Sequence, residues 1–89
     1  MGLSDSSGDI PAVLQVYVRH GCHLCEDMLR ALEAFKGKYD FTVNIIDISG
    51  DDKLESVYGT RVPVLSAAEN EICYYFLDEQ ALDNYFSHP

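Results

Sequence analysis

The chain has 89 residues, of which 47% are hydrophobic, and 15 acidic against 6 basic residues give it a net charge of −9. A chain of this length forms one domain with a modest core. Its negative field repels phosphate, which argues against nucleic acid and anionic membranes as partners. No stretch approaches the roughly 18 apolar residues of a membrane helix. Three cysteines without a secretory signal favour a reducing compartment over a disulfide framework, and we expect a cytoplasmic monomer.

Residues 1–11 are rich in Ser, Gly and Asp and end at Pro11, so we expect a flexible leader before a domain formed by residues 12–89. Met1-Gly2 followed by Ser6 formally fits the N-myristoylation pattern. The acidic leader lacks the polybasic second signal that stable anchoring requires, however. A plain disordered tail is the simpler interpretation.

The first half of the chain predicts a strand, a helix and a second strand. Residues 13–18 are apolar and β-branched, as in a strand buried on both faces of a sheet. A helical stripe follows and closes at Gly37; its apolar members are Leu24, Cys25, Met28, Leu29, Leu32 and Phe35. The β-rich residues 40–48 come only a few positions later, which favours a parallel strand reached by a right-handed crossover.

The second half opens with a short helix and a loop. Residues 51–58 have an acidic first turn and are followed by Gly59, as expected for a short helix. Residues 60–63 form a loop. Pro63 cannot donate a ladder hydrogen bond, so we place it at the first position of a strand that continues over residues 64–67.

A turn at residues 69–70 leads into an antiparallel strand over residues 71–76, and a last helix follows. Asp78 is the expected N-cap of this helix, and Leu77 packs against Leu82 as a hydrophobic staple. The residues expected to dock the helix are Leu82, Tyr85 and Phe86. The order βαβαββα predicts an α/β fold with a four-stranded mixed sheet and helices packed on both faces.

Two cysteines, Cys22 and Cys25, lie three positions apart where the first strand gives way to the first helix. Cys22 should lie among the free N–H groups of the first helical turn, whose partial positive charge favours a thiolate. Cys25 lies within the apolar stripe and should be sheltered, whereas Cys22 should be reachable. Residues three apart on a helix share a face, so the two thiols can form a small-ring disulfide and reopen it. The pattern predicts redox chemistry.

Basic and imidazole side chains surround this motif in an otherwise acidic chain. Arg19 and Arg61, two of the three arginines, fall in the two motif loops, and His20 and His23 flank Cys22. Such a cluster would favour a Cys22 thiolate, and His23 would tune the disulfide. We also expect Arg19, Arg61 and His23, together with Val62 and Pro63, to contact the substrate. The alternatives are that both arginines are ordinary solvated loop charges and that His23 only covers the first helical turn. His20 is the weaker candidate.

The element order, with C-x-x-C after the first strand and Val62-Pro63 before the third, resembles the thioredoxin superfamily and most closely its glutaredoxin-like members. The stretch Gly-Cys-His-Leu-Cys-Glu at residues 21–26 is similar to one glutaredoxin-like family, and the likeness covers residues 12–86. The resemblance implies a thioredoxin-like fold in which Cys22 attacks a substrate disulfide and Cys25 resolves the mixed disulfide. It also implies a cis Val62–Pro63 bond and a Val62 backbone that pairs with the substrate; the alternative is an ordinary trans proline that starts a strand.

The chain departs from glutathione-binding glutaredoxins in two places. Those proteins usually carry a Gly-Gly pair after the last strand, where a helix N-terminus receives the glutathione carboxylate. Residues 76–79 are Phe-Leu-Asp-Glu instead, and Arg61 replaces the Thr that often precedes Val-Pro. These departures argue against glutathione, which stays open only as a co-substrate, and no bound cofactor is expected.

Three functional hypotheses remain on the sequence. The first is a thiol–disulfide oxidoreductase whose partner is a disulfide-bearing protein or a small-molecule thiol. The second is metal or iron–sulfur binding through Cys22 and Cys25, with His20 or His23 as a further ligand, although a closed zinc site needs four ligands and no second cysteine pair exists. The third is a thioredoxin-fold adaptor without catalysis. Cys73 is interpreted as a core side chain, with regulatory oxidation as the alternative.

Overall fold

A computed structural model describes residues 12–68 and 70–87 of the protein. Its strands are β1 (Ala12–Val18), β2 (Phe41–Asp47), β3 (Val64–Ala67) and β4 (Asn70–Tyr74). Its helices are α1 (His23–Phe35), α2 (Asp52–Tyr58) and α3 (Glu79–Ser87). The predicted order βαβαββα is confirmed. The predicted leader at residues 1–11 and the Glu69 position of the predicted turn lie outside the described residues.

The four strands form one mixed sheet in the order β2-β1-β3-β4. β1 and β2 are parallel and are joined through α1, while β3 is antiparallel to both of its neighbours. Tyr17 near the end of β1 pairs with Val64 at the start of β3. The loop that leaves β1 and the loop that enters β3 therefore lie together at one end of the sheet, which we call the site end. β4 returns to this end, and α3 starts from it.

The main core lies between one face of the sheet and helices α1 and α3. Its buried members are Leu14, Val16, Met28, Leu32, Phe35, Phe41, Leu65, Ala67 and Leu82. On the opposite face the ring of Tyr17 stacks on Tyr58 of α2, with 3.9 Å between their centroids. Helices thus pack on both faces, as predicted. The prediction that β1 is buried on both faces is wrong for part of the strand, however. Val13 is 44% exposed, because the short helix α2 does not reach it.

The boundaries of several elements differ from the predicted ones. β4 ends at Tyr74 rather than at residue 76, because Tyr75 adopts a left-handed φ of 66° and its N–H donates to the Pro63 carbonyl at 2.9 Å. Asn70 belongs to β4 rather than to the turn. The first helix ends at Phe35 with Lys36 as its C-cap, and Gly37 follows the cap directly, as predicted.

The start of the last helix agrees with its prediction. The Asp78 carboxylate accepts the N–H of Ala81 at 3.0 Å, as an N-cap does. Leu82 is fully buried and Phe86 packs against the core, but Tyr85 is exposed and does not dock the helix as expected. Within the described residues, no helix is both long and apolar enough to cross a bilayer.

Candidate redox site

Cys22 occupies the N-cap of α1, directly after the turn that leaves β1. Gly21 has a φ of +75°, a left-handed conformation that glycine adopts at little cost, and this turn precedes Cys22. The backbone of Cys22 is extended, and its Sγ accepts the N–H of Cys25 at 3.0 Å. Its carbonyl accepts the N–H of Glu26 at 3.2 Å, which starts the helical ladder. The sulfur therefore lies where unpaired helix N–H groups give partial positive charge.

Cys22 and Cys25 form a disulfide across this first turn, with 5.2 Å between their Cα atoms. Cys25 is 3% exposed, on the same buried stripe of α1 as Met28. Cys22 is partly exposed. The predicted difference in exposure between the two residues is confirmed.

Pro63 brings the second motif loop to the site end. The Val62–Pro63 peptide bond is cis, and Pro63 is fully buried at the entry to β3. Val62 is partly exposed. The pairing of Tyr17 with Val64 places this loop next to the one that carries Cys22. Pairing of the Val62 backbone with a substrate stays a prediction.

Arg19 joins the loop after β1 to helix α2. Its Nη2 donates to Glu55 Oε1 at 2.5 Å and to the Gly59 carbonyl at 3.1 Å. The contact is close-packed: a Cβ added to Gly59 would lie 2.5 Å from the Glu55 carbonyl oxygen and 3.0 Å from Arg19 Nη2. Arg19 therefore holds α2 against the first motif loop.

Arg61 is similarly engaged by its own neighbours. It forms an ion pair with Glu71 and donates to the Val57 carbonyl at 2.9 Å. The hydrogen bond from Arg61 to Glu71 raises the pKa of the guanidinium. Its Cζ also lies 5.9 Å from the ring centroids of Tyr58 and Tyr74. Since both motif-loop arginines are matched by carboxylates, the support for a Cys22 thiolate comes from the helix terminus rather than from surplus arginine charge.

The two histidines near the motif lie at the surface. His23 is the first residue of α1 and is exposed. His20 is exposed as well, and its backbone N–H donates to Ser49 Oγ at 3.1 Å. Among residues 12–68 and 70–87, no group of three or more His, Cys, Asp or Glu side chains is placed to hold a metal ion. The described structure thus adds no third ligand to the two cysteines.

Three exposed aromatic residues border the second motif loop of the site, although the sequence pattern assigned all three to a strand. We call Tyr74, Tyr75 and Phe76 the aromatic shelf. Tyr75 fastens the shelf to the second motif loop, because its N–H donates to the Pro63 carbonyl at 2.9 Å and its hydroxyl to the Thr60 carbonyl at 2.7 Å. A signal was available in the sequence: alternate residues of a strand point to opposite faces, so three consecutive aromatics cannot all enter one core.

Cys73 lies on β4, opposite Leu65, and is half-buried against the core. Its Sγ accepts the N–H of Asp78 at 3.5 Å. Burial raises the pKa of the Cys73 thiol. This environment agrees with the predicted role as a core side chain.

Residues 13–87 match the model of the glutaredoxin-like domain family (DUF836). The protein Ne2328 from Nitrosomonas europaea has a similar solution structure, with 42% identity, a TM-score of 0.78, and coverage of 85% of this chain and 92% of that one. The X-ray structure of XcR50 from X. campestris is 30% identical, with a TM-score of 0.70 and coverage of 85% and 97%. No protein among the curated sequences is significantly similar to this chain. The chain belongs to the glutaredoxin-like domain family.

Proposed function

We propose that the protein is a thiol–disulfide oxidoreductase that exchanges two electrons between its Cys22–Cys25 pair and a disulfide or dithiol of another molecule. The observation that supports this most strongly is the position of Cys22 Sγ, partly exposed and 3.0 Å from the Cys25 N–H at the start of α1. Membership of a glutaredoxin-like family supports the same chemistry.

The reaction begins with the reduced protein. The Cys22 thiolate attacks one sulfur of a substrate disulfide, a bond forms between Cys22 and that sulfur, and the other substrate sulfur leaves as a thiolate that takes up a proton. Cys25 then loses its proton and attacks Cys22 Sγ. This second step forms the Cys22–Cys25 disulfide and releases the second substrate thiol. The protein is oxidised by two electrons, and the substrate is reduced by the same two.

The two cysteines are suited to different steps. Only the thiolate attacks, and helix N-termini lower thiol pKa values, so Cys22 is the nucleophile. Cys25 is enclosed within the buried stripe of α1, where an external disulfide does not reach, but it lies within bonding distance of Cys22. Val62, beside the cis peptide bond, offers its backbone to the substrate segment in this proposal.

The proposed partner is a protein disulfide or a small thiol of the cytoplasm. Glutathione is the less suitable co-substrate, because Asp78 and Glu79 occupy the start of α3 where a glutathione carboxylate would be received. The Asp78 side chain already caps the Ala81 N–H there. A dithiol donor is therefore proposed to return the Cys22–Cys25 disulfide to its reduced form.

Trapping of the mixed disulfide tests this proposal. Cys25→Ser, reduced and mixed with a peptide disulfide, should accumulate a stable adduct through Cys22 that is detected by mass spectrometry without reductant. Cys22→Ser should form no adduct through Cys25 under the same conditions. Cys73→Ser is the matched control, and it should turn over like the unsubstituted protein. An adduct mainly through Cys25 or Cys73 would overturn the assigned roles.

A further inference from the structure

The aromatic shelf adjoins the second motif loop of the proposed redox site. Tyr74 pairs with Val64, the residue after Pro63, and Tyr75 is hydrogen-bonded to the Pro63 carbonyl. Phe76 follows immediately and is 66% exposed. A large aromatic ring in water offers favourable contact area to an apolar side chain that binds beside the disulfide.

The same end of the sheet carries an excess of negative charge. Five of the six Lys and Arg residues, all of which lie within the described ranges, are in ion pairs, and Lys53 is the exception. In the described part of the chain, the site end has five carboxylates that belong to no ion pair, against the single unpaired Lys53; they are Glu26, Asp47, Asp51, Asp52 and Asp78. The field around the disulfide therefore attracts cations and repels anions.

We infer that the substrate of this site is a polypeptide whose disulfide is flanked by an apolar side chain, which packs on the aromatic shelf, and by basic residues, which face the surrounding carboxylates. This inference depends on the proposed function. The inference also distinguishes such a polypeptide from glutathione disulfide. Glutathione disulfide has a net negative charge from its carboxylates and has no large apolar group.

The two contributions differ in range and can be measured separately. Attraction between exposed charges acts over a Debye length of about 10 Å at 0.1 M salt and weakens as salt is added. Such attraction raises association rates rather than altering the chemistry at sulfur. Contact with Phe76 is short-ranged and insensitive to salt. The chemical step is unchanged: reduced Cys22 and Cys25 give two electrons to the peptide disulfide, which is released as two thiols.

Matched peptide disulfides test the inference. Three peptides carry the same disulfide with Leu and Lys neighbours, with Leu and Glu neighbours, or with Ser and Lys neighbours; glutathione disulfide is the fourth substrate. The reduced full-length protein is mixed with each, quenched with acid and analysed by mass spectrometry. Each rate is divided by the rate at which dithiothreitol reduces the same substrate, which corrects for the intrinsic reactivity of that disulfide.

We expect the Leu–Lys peptide to react about tenfold faster than the Leu–Glu peptide and glutathione disulfide at low salt. In high salt the ratio to the Leu–Glu peptide should fall towards one, whereas the Leu–Lys peptide should keep part of its advantage over glutathione disulfide. Phe76→Ser should remove most of the preference for Leu over Ser. Ile45→Ser is its control, because Ile45 is 58% exposed but lies on the opposite edge strand. Glu26→Gln, in the first turn of α1, should lower the Lys-to-Glu ratio about twofold. Asp40→Asn should leave this ratio unchanged, because Asp40 lies just before the start of β2, at the end of the sheet away from the site.

The outcomes distinguish the two proposals. Equal normalised rates for all four substrates, or faster reaction with glutathione disulfide, would overturn the inference while leaving the oxidoreductase function intact. The inference would also be overturned if Ile45→Ser reduced the preference for Leu over Ser as much as Phe76→Ser does. If the reduced protein reduces none of the four disulfides, the proposed function itself fails.

Discussion

Replacing Cys25 by serine leaves Cys22 as a free thiol at the N-cap of α1, and its pKa should lie well below the ordinary value of about 8.5. The backbone N–H of residue 25, which lies 3.0 Å from Cys22 Sγ, remains in this variant. A hydrogen bond to a charged group contributes about 1.5–3 kcal/mol. One pKa unit corresponds to about 1.36 kcal/mol, so a hydrogen bond of this strength favours the thiolate over the thiol roughly tenfold or more and lowers the pKa of Cys22.

The assay is the rate of iodoacetamide alkylation as a function of pH, followed by mass spectrometry. At pH 7 an ordinary cysteine is about 3% thiolate, and a tenfold shift of that equilibrium raises the fraction to about a quarter. Cys22→Ser is the matched variant, and its Cys25, buried in the apolar stripe of α1, should be alkylated far more slowly. A Cys22 pKa at or above about 8.5, or equal rates for the two thiols, would refute the reasoning.

Three further predictions concern the surrounding fold. The ion pair with Lys38 lowers the pKa of Asp83. The pair therefore stabilises the fold above the ordinary carboxyl pKa, and this stability is lost as the pH falls through the lowered value. Asp83→Asn should lower the urea midpoint at pH 7 and reduce the fall of that midpoint at acid pH. Because burial raises its pKa, Cys73 should resist alkylation at pH 8 until the protein is unfolded, which mass spectrometry detects. Gly59→Ala should cost about 1–3 kcal/mol in urea unfolding, because the new Cβ would lie 2.5 Å from the Glu55 carbonyl oxygen. Unchanged midpoints, or rapid alkylation of the folded protein, would contradict these expectations.

The sequence was sufficient to predict those elements in which the local residue pattern and the packing of the core agree. Apolar spacing identified α1, with Met28 and Leu32 on its buried face, and the capping residue Asp78 identified the start of α3. The motif spacing placed Cys22 and Cys25 on one helical turn, which the disulfide bears out. These features depend on residues a few positions apart, so the one-dimensional pattern contains them.

Contacts between segments that are distant in the sequence could not be predicted in the same way. Arg19 and Glu55 are 36 positions apart, and nothing in the local pattern pairs them. The early end of β4 depends on a hydrogen bond from Tyr75 to the Pro63 carbonyl, formed only after β3 and β4 align. For the same reason the sequence overestimated the positive charge near Cys22, since it shows arginines without showing their partners.

Equilibration of the protein in glutathione redox buffers, followed by acid quenching and mass spectrometry of the Cys22–Cys25 pair, examines whether this disulfide is a working redox couple. Redox-active pairs have potentials of about −120 to −270 mV, whereas structural disulfides lie below about −300 mV. We expect one reversible two-electron transition within the redox-active range, absent in Cys22→Ser and Cys25→Ser and retained in Cys73→Ser. A disulfide that stays closed throughout that range, or thiols that never pair within it, would contradict the proposed function.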